Sequence, residues 1–243
     1  MGYWSKRIPY LIKHGQLFKE LKTHLRHKNK KAEIKEILPL MDIAEFAGPE
    51  MPDLIDNTFE DGNVSVTELE CIARIARNQQ PMRVFEIGTF NGRTALNIAR
   101  NIPDNAHVFT LDLPQSEVAS TQLRIKTGER KFINKEISGR MFHGTDQEKK
   151  ITQILSDSAK YDYSALNNTV DLVFVDGSHS YEYVINDTEV AMKLLRNGKG
   201  IIIWHDYGWR EVIQALNEYY QNDPRFKDMK HIRGTSMAVL RVG

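Results

Sequence analysis

Beyond Pro81 the chain alternates short apolar runs with amphipathic stretches, and no other pattern in it limits the fold more. The runs MRVFEIG (82–88), HVFTLDL (107–113), VDLVFVDG (170–177) and GKGIIIWHD (198–206) read as strands. Between and after them, NGRTALNIARNI (91–102), EYVINDTEVAMKLLRN (182–197) and WREVIQALNEYYQ (209–221) read as helices. Strands that are apolar throughout and spaced by amphipathic helices indicate a parallel sheet covered on both faces, the α/β class. ILSDSAKYDY (154–163) adds a strand with its exit loop, and MAVLRVG (237–243) a last strand, expected at an antiparallel edge. Ahead of Pro81, SVTELECIARIARNQQ (65–80) reads as a helix. Ser65 or Thr67 can cap it, Glu68 and Glu70 suit its positive end, and Leu69, Ile72, Ala73 and Ala76 form its apolar stripe.

A chain of 243 residues suits one large α/β domain, or one domain with an extension. Its single cysteine, Cys71, excludes a disulfide framework and a cysteine-built metal site, which points to a reducing compartment. No apolar run approaches the roughly 18 residues of a membrane span, so a cytoplasmic location is expected, soluble or peripheral to a membrane. MGYWSK begins like a myristoylation site but has Lys6 where that pattern wants Ser or Thr. The net charge of +1 hides an asymmetry: Met1 to Lys35 holds ten Lys or Arg against two Glu, a net +8, which leaves −7 for the remainder. Ile8, Leu11, Ile12, Leu17, Phe18, Leu21 and Leu25 recur there at helical spacing, a basic amphipathic helix. Such a helix can pack on the body or on another copy of the chain, lie on an anionic membrane, or touch nucleic acid, the last being least favoured. Residues 1–62 are thus expected as extension and linker, punctuated by Pro39, Gly48, Pro49, Pro52 and Gly62, and 63–243 as the main domain. The polar stretch 113–150 is too long for a simple connection and is expected as a lid insertion, with Arg124, Lys126, Arg130 and Arg140 available to an anionic substrate.

In open α/β sheets ligands sit beyond the carboxyl ends of the strands, where VFEIGTFNGRT (84–94) falls. Three residues separate Gly88 from Gly92 and Arg93-Thr94 follows, so a phosphate loop, which needs four and then Lys-Ser/Thr, is excluded. A dinucleotide fingerprint lacks its third glycine, and Glu86 would set negative charge beside a pyrophosphate. A carboxylate there suits a cationic ligand, the amino group and sulfonium of S-adenosylmethionine. The candidate cofactor residues are Glu86, Gly88, Thr89, Asn91 and Gly92 in this loop, Asp112 for ribose hydroxyls, and Asp157 for the adenine amino group.

These motifs resemble the class I S-adenosylmethionine-dependent methyltransferases. The resemblance runs from about Pro81 to the C-terminus. VDGSHSYE (175–182) followed by HDYG (205–208) is similar to the branch containing macrolide-sugar O-methyltransferases and cephalosporin-biosynthesis relatives. It implies a Rossmann-like sheet of seven strands in order 3-2-1-4-5-7-6 with strand 7 antiparallel. It also implies that Asp176 and Asp206 match magnesium ligands and His179 the catalytic base. That branch usually has an acid where this chain has His205.

Methyl transfer to an alcohol needs a nucleophile that has lost its proton to a base or been acidified by a metal. Asp176, at the end of one strand, and His205-Asp206, at the end of the next, should converge, and two carboxylates with an imidazole can hold a divalent ion, Mg2+ or Mn2+. His205 is a candidate for both roles, metal ligand and base. The expected activity is metal-assisted O-methylation of a hydroxyl on a sugar or glycosylated small molecule. A catechol-like acceptor is the alternative, and an RNA methyltransferase guided by the basic arm ranks lower.

Overall fold

The computed structural model describes residues 34–55, 60–134 and 137–243. The chain divides into Met1–Lys35 and a compact unit, Glu36–Gly243. The basic amphipathic helix expected near the N-terminus therefore lies outside the described residues. The boundary expected at 62/63 falls inside the compact unit, because the segment after Glu36 supplies an edge strand of the sheet.

That sheet has eight strands: β1 (Leu40–Met41), β2 (Arg83–Ile87), β3 (His107–Asp112), β4 (Ile151–Leu155), β5 (Leu172–Val175), β6 (Gly200–Trp204), β7 (Lys230–Ile232) and β8 (Ala238–Val242). They lie in the order β1-β7-β8-β6-β5-β2-β3-β4. The expectation of seven strands is corrected, and the order differs through β1, a short strand paired parallel to β7 at one edge. No apolar alternation announces β1, since two residues are too few to carry a period. The last strand, β8, is antiparallel as expected but is not an edge, being held between β6 and β7. Strand β4 begins three residues before the apolar run read from the sequence.

The helices are α1 (Ile43–Ala47), α2 (Val66–Gln79), α3 (Arg93–Asn101), α4 (Arg130–Ile133), α5 (Tyr181–Leu194) and α6 (Arg210–Asn222). No helix among the described residues is long and apolar enough to cross a membrane. A capping box starts α2: Glu68 N donates to Ser65 Oγ at 3.2 Å and Ser65 N to Glu68 Oε2 at 2.9 Å, satisfying two of the orphan amides of the first turn. Its stripe of Leu69, Ile72, Ala73 and Ala76 is fully buried, and Gln80 in left-handed conformation ends it before Pro81. Val84, Phe85, Leu172 to Phe174 and Ile201 to Ile203 are all buried, as strands covered on both faces must be.

The path runs outward from β2 through β3 to β4, then returns to place β5 on the other side of β2. This reversal opens a crevice at the carboxyl ends of β2 and β5. Gly88, with φ of 101°, allows the two strand ends to meet: a Cβ there would stand 2.0 Å from the Asp176 carbonyl oxygen. The 113–150 excursion joins β3 to β4 through short 3-10 turns and α4, above the same edge.

Candidate functional site

A cavity of about 290 Å3 opens at this edge of the sheet. Its walls include Ile87, Leu111 and Leu113 from the sheet side, and Ile125, Phe132 and Ile133 from the excursion. Its ionisable groups include six acids, Asp61, Asp112, Glu129, Asp157, Asp176 and Asp206, beside two imidazoles, His179 and His205. No lysine or arginine is among the described residues lining it. An environment of that sign disfavours phosphate and suits a cationic ligand bearing hydroxyls.

Gly88, Asp112 and Asp157, three of the seven residues expected at the cofactor, line this cavity. Asp112 ends β3 and also accepts a hydrogen bond from Ser138 Oγ. Asp157 is tied into the fold, accepting from Gln122 N at 2.7 Å, Ala159 N at 2.9 Å and the Tyr183 hydroxyl at 2.8 Å. The other four stand away from it. Strand alternation turns Glu86 to the opposite side from Ile87, into the interior, where it accepts from Thr110 Oγ1 across the β2–β3 pair. Its Oε1 is buried without a hydrogen-bond partner, and burial, aided by the charges of Asp176 and Asp112, pushes its carboxyl up to about 8. Glu86 thus faces the interior rather than the cavity, in surroundings that favour its protonated form. Thr89 joins that network through Thr110 Oγ1 at 2.7 Å. Asn91 accepts from Arg93 N at 3.1 Å in the first turn of α3 and from Asn63 Nδ2 at 2.9 Å. Gly92 is pressed against Phe142, whose Cδ1 a Cβ would meet at 2.6 Å. The loop's glycines thus serve strand and helix packing, while Gly88 alone also touches the cavity.

Asp176, His179, His205 and Asp206 do converge. Donor atoms of Asp176, His179 and Asp206 lie within 4.8 Å of one another, a set of two carboxylates and an imidazole that fits a divalent ion. His205, expected as a ligand beside Asp176 and Asp206, is not part of this candidate set, and His179 is. His205 lies behind the carboxylates: its Nδ1 is 3.1 Å from Asp176 Oδ1 and 3.2 Å from Asp206 Oδ2, and its Nε2 is 3.2 Å from Glu68 Oε2. Burial opposes charge on this ring, but Asp176, Asp206 and Glu68 outweigh it and hold its pKa well above the ordinary value. His205 is thereby committed to bracing two acids, which leaves it poorly placed as a base. His179 Nε2 is 2.5 Å from Asp206 Oδ2, and its Nδ1 is 2.9 Å from Glu129 Oε1. Against the cost of burial, those two carboxylates push it up to about 9.

Sequence reading missed Glu68 and Glu129 as parts of this centre. Both come from elements distant in the chain, and an acid in a cap box or a charged loop carries no local mark of its partner. Asp187, on α5, is 1% exposed, and burial pushes its carboxyl up to about 7. Of the aromatic residues near His205, Trp204 is core, Tyr207 is fully buried, and only Trp209 reaches the cavity, stacked on the His179 ring at 4.8 Å and 20°. The cations expected to meet an anionic substrate are largely occupied: Arg124 pairs with Glu211 at 2.9 Å, Lys126 Nζ donates to His179 O at 2.6 Å, and Arg140 pairs with Glu60. Arg130 is exposed and does not line the cavity.

Solved structures share this fold. A methyltransferase of Podospora anserina bound to SAH superposes with a TM-score of 0.53 at 20% identity, over 75% of this chain and 81% of that one. TomG, an O-methyltransferase of Streptomyces achromogenes involved in tomaymycin synthesis and solved with SAM, gives 0.54 at 17% identity over 76% and 84%. The O-methyltransferase of Bacillus cereus in complex with SAH gives 0.51 at 17% over 75% and 83%. In sequence, the uncharacterized protein R132 of Acanthamoeba polyphaga mimivirus is 38% identical over 56 residues, which span 22% of this chain and only 25% of that protein. Residues 85–207, half of the chain and the stretch that carries Gly88, Asp112, Asp176, His179 and Asp206, match the model of the family described as methyltransferase domain, and the chain belongs to that family.

Proposed function

We propose that the protein is an S-adenosylmethionine-dependent O-methyltransferase that acts on a hydroxyl of a sugar or glycosylated small molecule with the help of a divalent ion. The observation that carries this reading is the acid-lined cavity, free of lysine and arginine among its described residues, at the carboxyl ends of β2, β3 and β5. S-adenosylmethionine, when bound, supplies an electrophilic methyl group on a cationic sulfur. Asp112, at the end of β3, is placed to accept from paired ribose hydroxyls, and Asp157 from an exocyclic amine. Of the set of Asp176, His179 and Asp206, the two carboxylates would hold an ion, Mg2+ or Mn2+, that acidifies the acceptor hydroxyl, and His179 Nε2, left out of the ion's ligands, would take the proton in the neutral form of the ring. Trp209 and the apolar roof flank the acceptor and keep water from it, and the 113–150 excursion acts as the lid. The apolar roof also favours a second acceptor class, a catechol-like phenol.

Calorimetric titration with S-adenosylmethionine tests the foundation. Saturable binding is expected, weakened about 10- to 100-fold in Asp112→Ala through loss of charge-assisted hydrogen bonds of roughly 1.5–3 kcal/mol. No binding by the folded wild type would end this reading. With binding established, a screen of sugar and catechol diols, in added metal and in chelator, separates the two acceptor classes and tests the ion. Limited proteolysis within 113–150 is expected to slow when S-adenosylmethionine is added, and an unchanged rate would argue against a lid.

A further inference from the structure

His179 is gripped from the excursion rather than from its own loop. Glu129, buried at 6% exposure, directs Oε1 at both the backbone N (2.7 Å) and Nδ1 (2.9 Å) of His179. Its Oε2 accepts from Ser178 Oγ at 2.8 Å and from Lys126 N at 3.2 Å. Four donors fill the roughly four acceptor sites of a carboxylate, so Glu129 has no freedom to turn. Lys126 Nζ holds the carbonyl of the same histidine at 2.6 Å, and Trp209 lies flat on its ring. The ring therefore cannot flip, and its second nitrogen, Nε2, is left facing Asp206 and the cavity.

We propose that Glu129 is a positioning residue for His179: it keeps Nδ1 as the hydrogen-bond donor and so makes Nε2 the working nitrogen. For the methyl transfer proposed above, on which this role rests, the reactive imidazole is then assembled only when the excursion is docked on the Ser178-His179 loop. A histidine that binds a metal or moves a proton through one nitrogen needs the other fixed by a carboxylate or carbonyl, and loss of that partner costs about 10- to 100-fold. A clasp that merely fastened the excursion would stabilise the fold without setting the ring.

Proton and nitrogen NMR of the 15N-labelled full chain separates the two roles without cofactor or acceptor. A proton bonded to His179 Nδ1 and held by a buried carboxylate is expected as a resonance far downfield of the amides, assigned by its loss in His179→Gln. It should vanish or move upfield in Glu129→Gln and persist in Ser178→Ala, which removes a bond to the same carboxylate but leaves the imidazole untouched. In turnover, Glu129→Gln is expected to lower kcat about 10- to 100-fold with unchanged calorimetric affinity for S-adenosylmethionine. Glu129→Asp, whose shorter side chain withdraws the carboxylate, is read in the same way should the glutamine variant fail to fold. Retention of the Nδ1 resonance, or a loss of thermal stability with kcat intact, would overturn the role of Glu129. Failure of the wild type to bind S-adenosylmethionine would instead remove the methyltransferase reading and leave the NMR result on Glu129 standing.

Discussion

Asp206→Asn is expected to lower kcat for methyl transfer by about two to four orders of magnitude, the range for losing proton transfer by a positioned group, here the His179 imidazole that it pairs with. Asp206 sits just after β6 at φ of 58°, a left-handed conformation that asparagine adopts about as readily as aspartate. The substitution is therefore close to silent for the backbone and acts on charge. In the wild type the carboxylate meets His179 Nε2 at 2.5 Å and His205 Nδ1 at 3.2 Å. Burial penalises its charge, but those two imidazoles hold its pKa well below the usual carboxylate range, so it is ionised at neutral pH. Asparagine brings no negative charge to hold a cation tightly or to stabilise positive charge developing on an imidazole. Turnover of an acceptor from the diol screen measures the loss, and calorimetry on the same sample should show S-adenosylmethionine affinity unchanged. Full turnover by Asp206→Asn in chelator would place the chemistry elsewhere in the molecule.

The second large effect concerns stability. Glu86 has its carboxyl raised from the ordinary 4.5 to about 8 by burial. A raised folded-state pKa means that the folded protein binds this proton more tightly than the unfolded chain. The stability it contributes is then fully present below pH 4.5 and is lost as the pH climbs through about 8. A shift of that size corresponds to something on the order of 5 kcal/mol, a large part of a domain's total. Glu86→Gln keeps the shape and the acceptor oxygen for Thr110 but cannot ionise. Urea unfolding from pH 5 to 9 is expected to show wild-type stability falling relative to the variant, with Glu86→Gln the more stable protein at pH 9. Parallel curves would show that Glu86 is already ionised in the folded state.

The strand ends were legible because three of the acids that line the cavity close apolar runs, and the chain itself marks where those runs stop. Asp112, Asp176 and Asp206 could be placed at one edge on that ground alone, and Ser65 with Glu68 marked a helix start. Strand parity was harder to read. Glu86 and Ile87 are neighbours in sequence yet face opposite sides of β2, and a run buried on both sides has no polar alternation to tell them apart. The reach of Glu68 to His205 and of Glu129 to His179 depends on how α2 and the excursion pack, which no local pattern encodes. The same holds for β1, whose pairing with β7 joins residues at opposite ends of the domain.

Tyr207, the residue after Asp206, is buried with its hydroxyl accepting from Ile37 N at 2.9 Å and Leu38 N at 3.2 Å and donating to Asn217 at 2.6 Å. One phenol thus moors the start of the compact unit to the backbone beside the centre. The anchor of the edge segment and the turn that carries Asp206 share one side chain, so the sheet's margin and the centre are built on the same phenol.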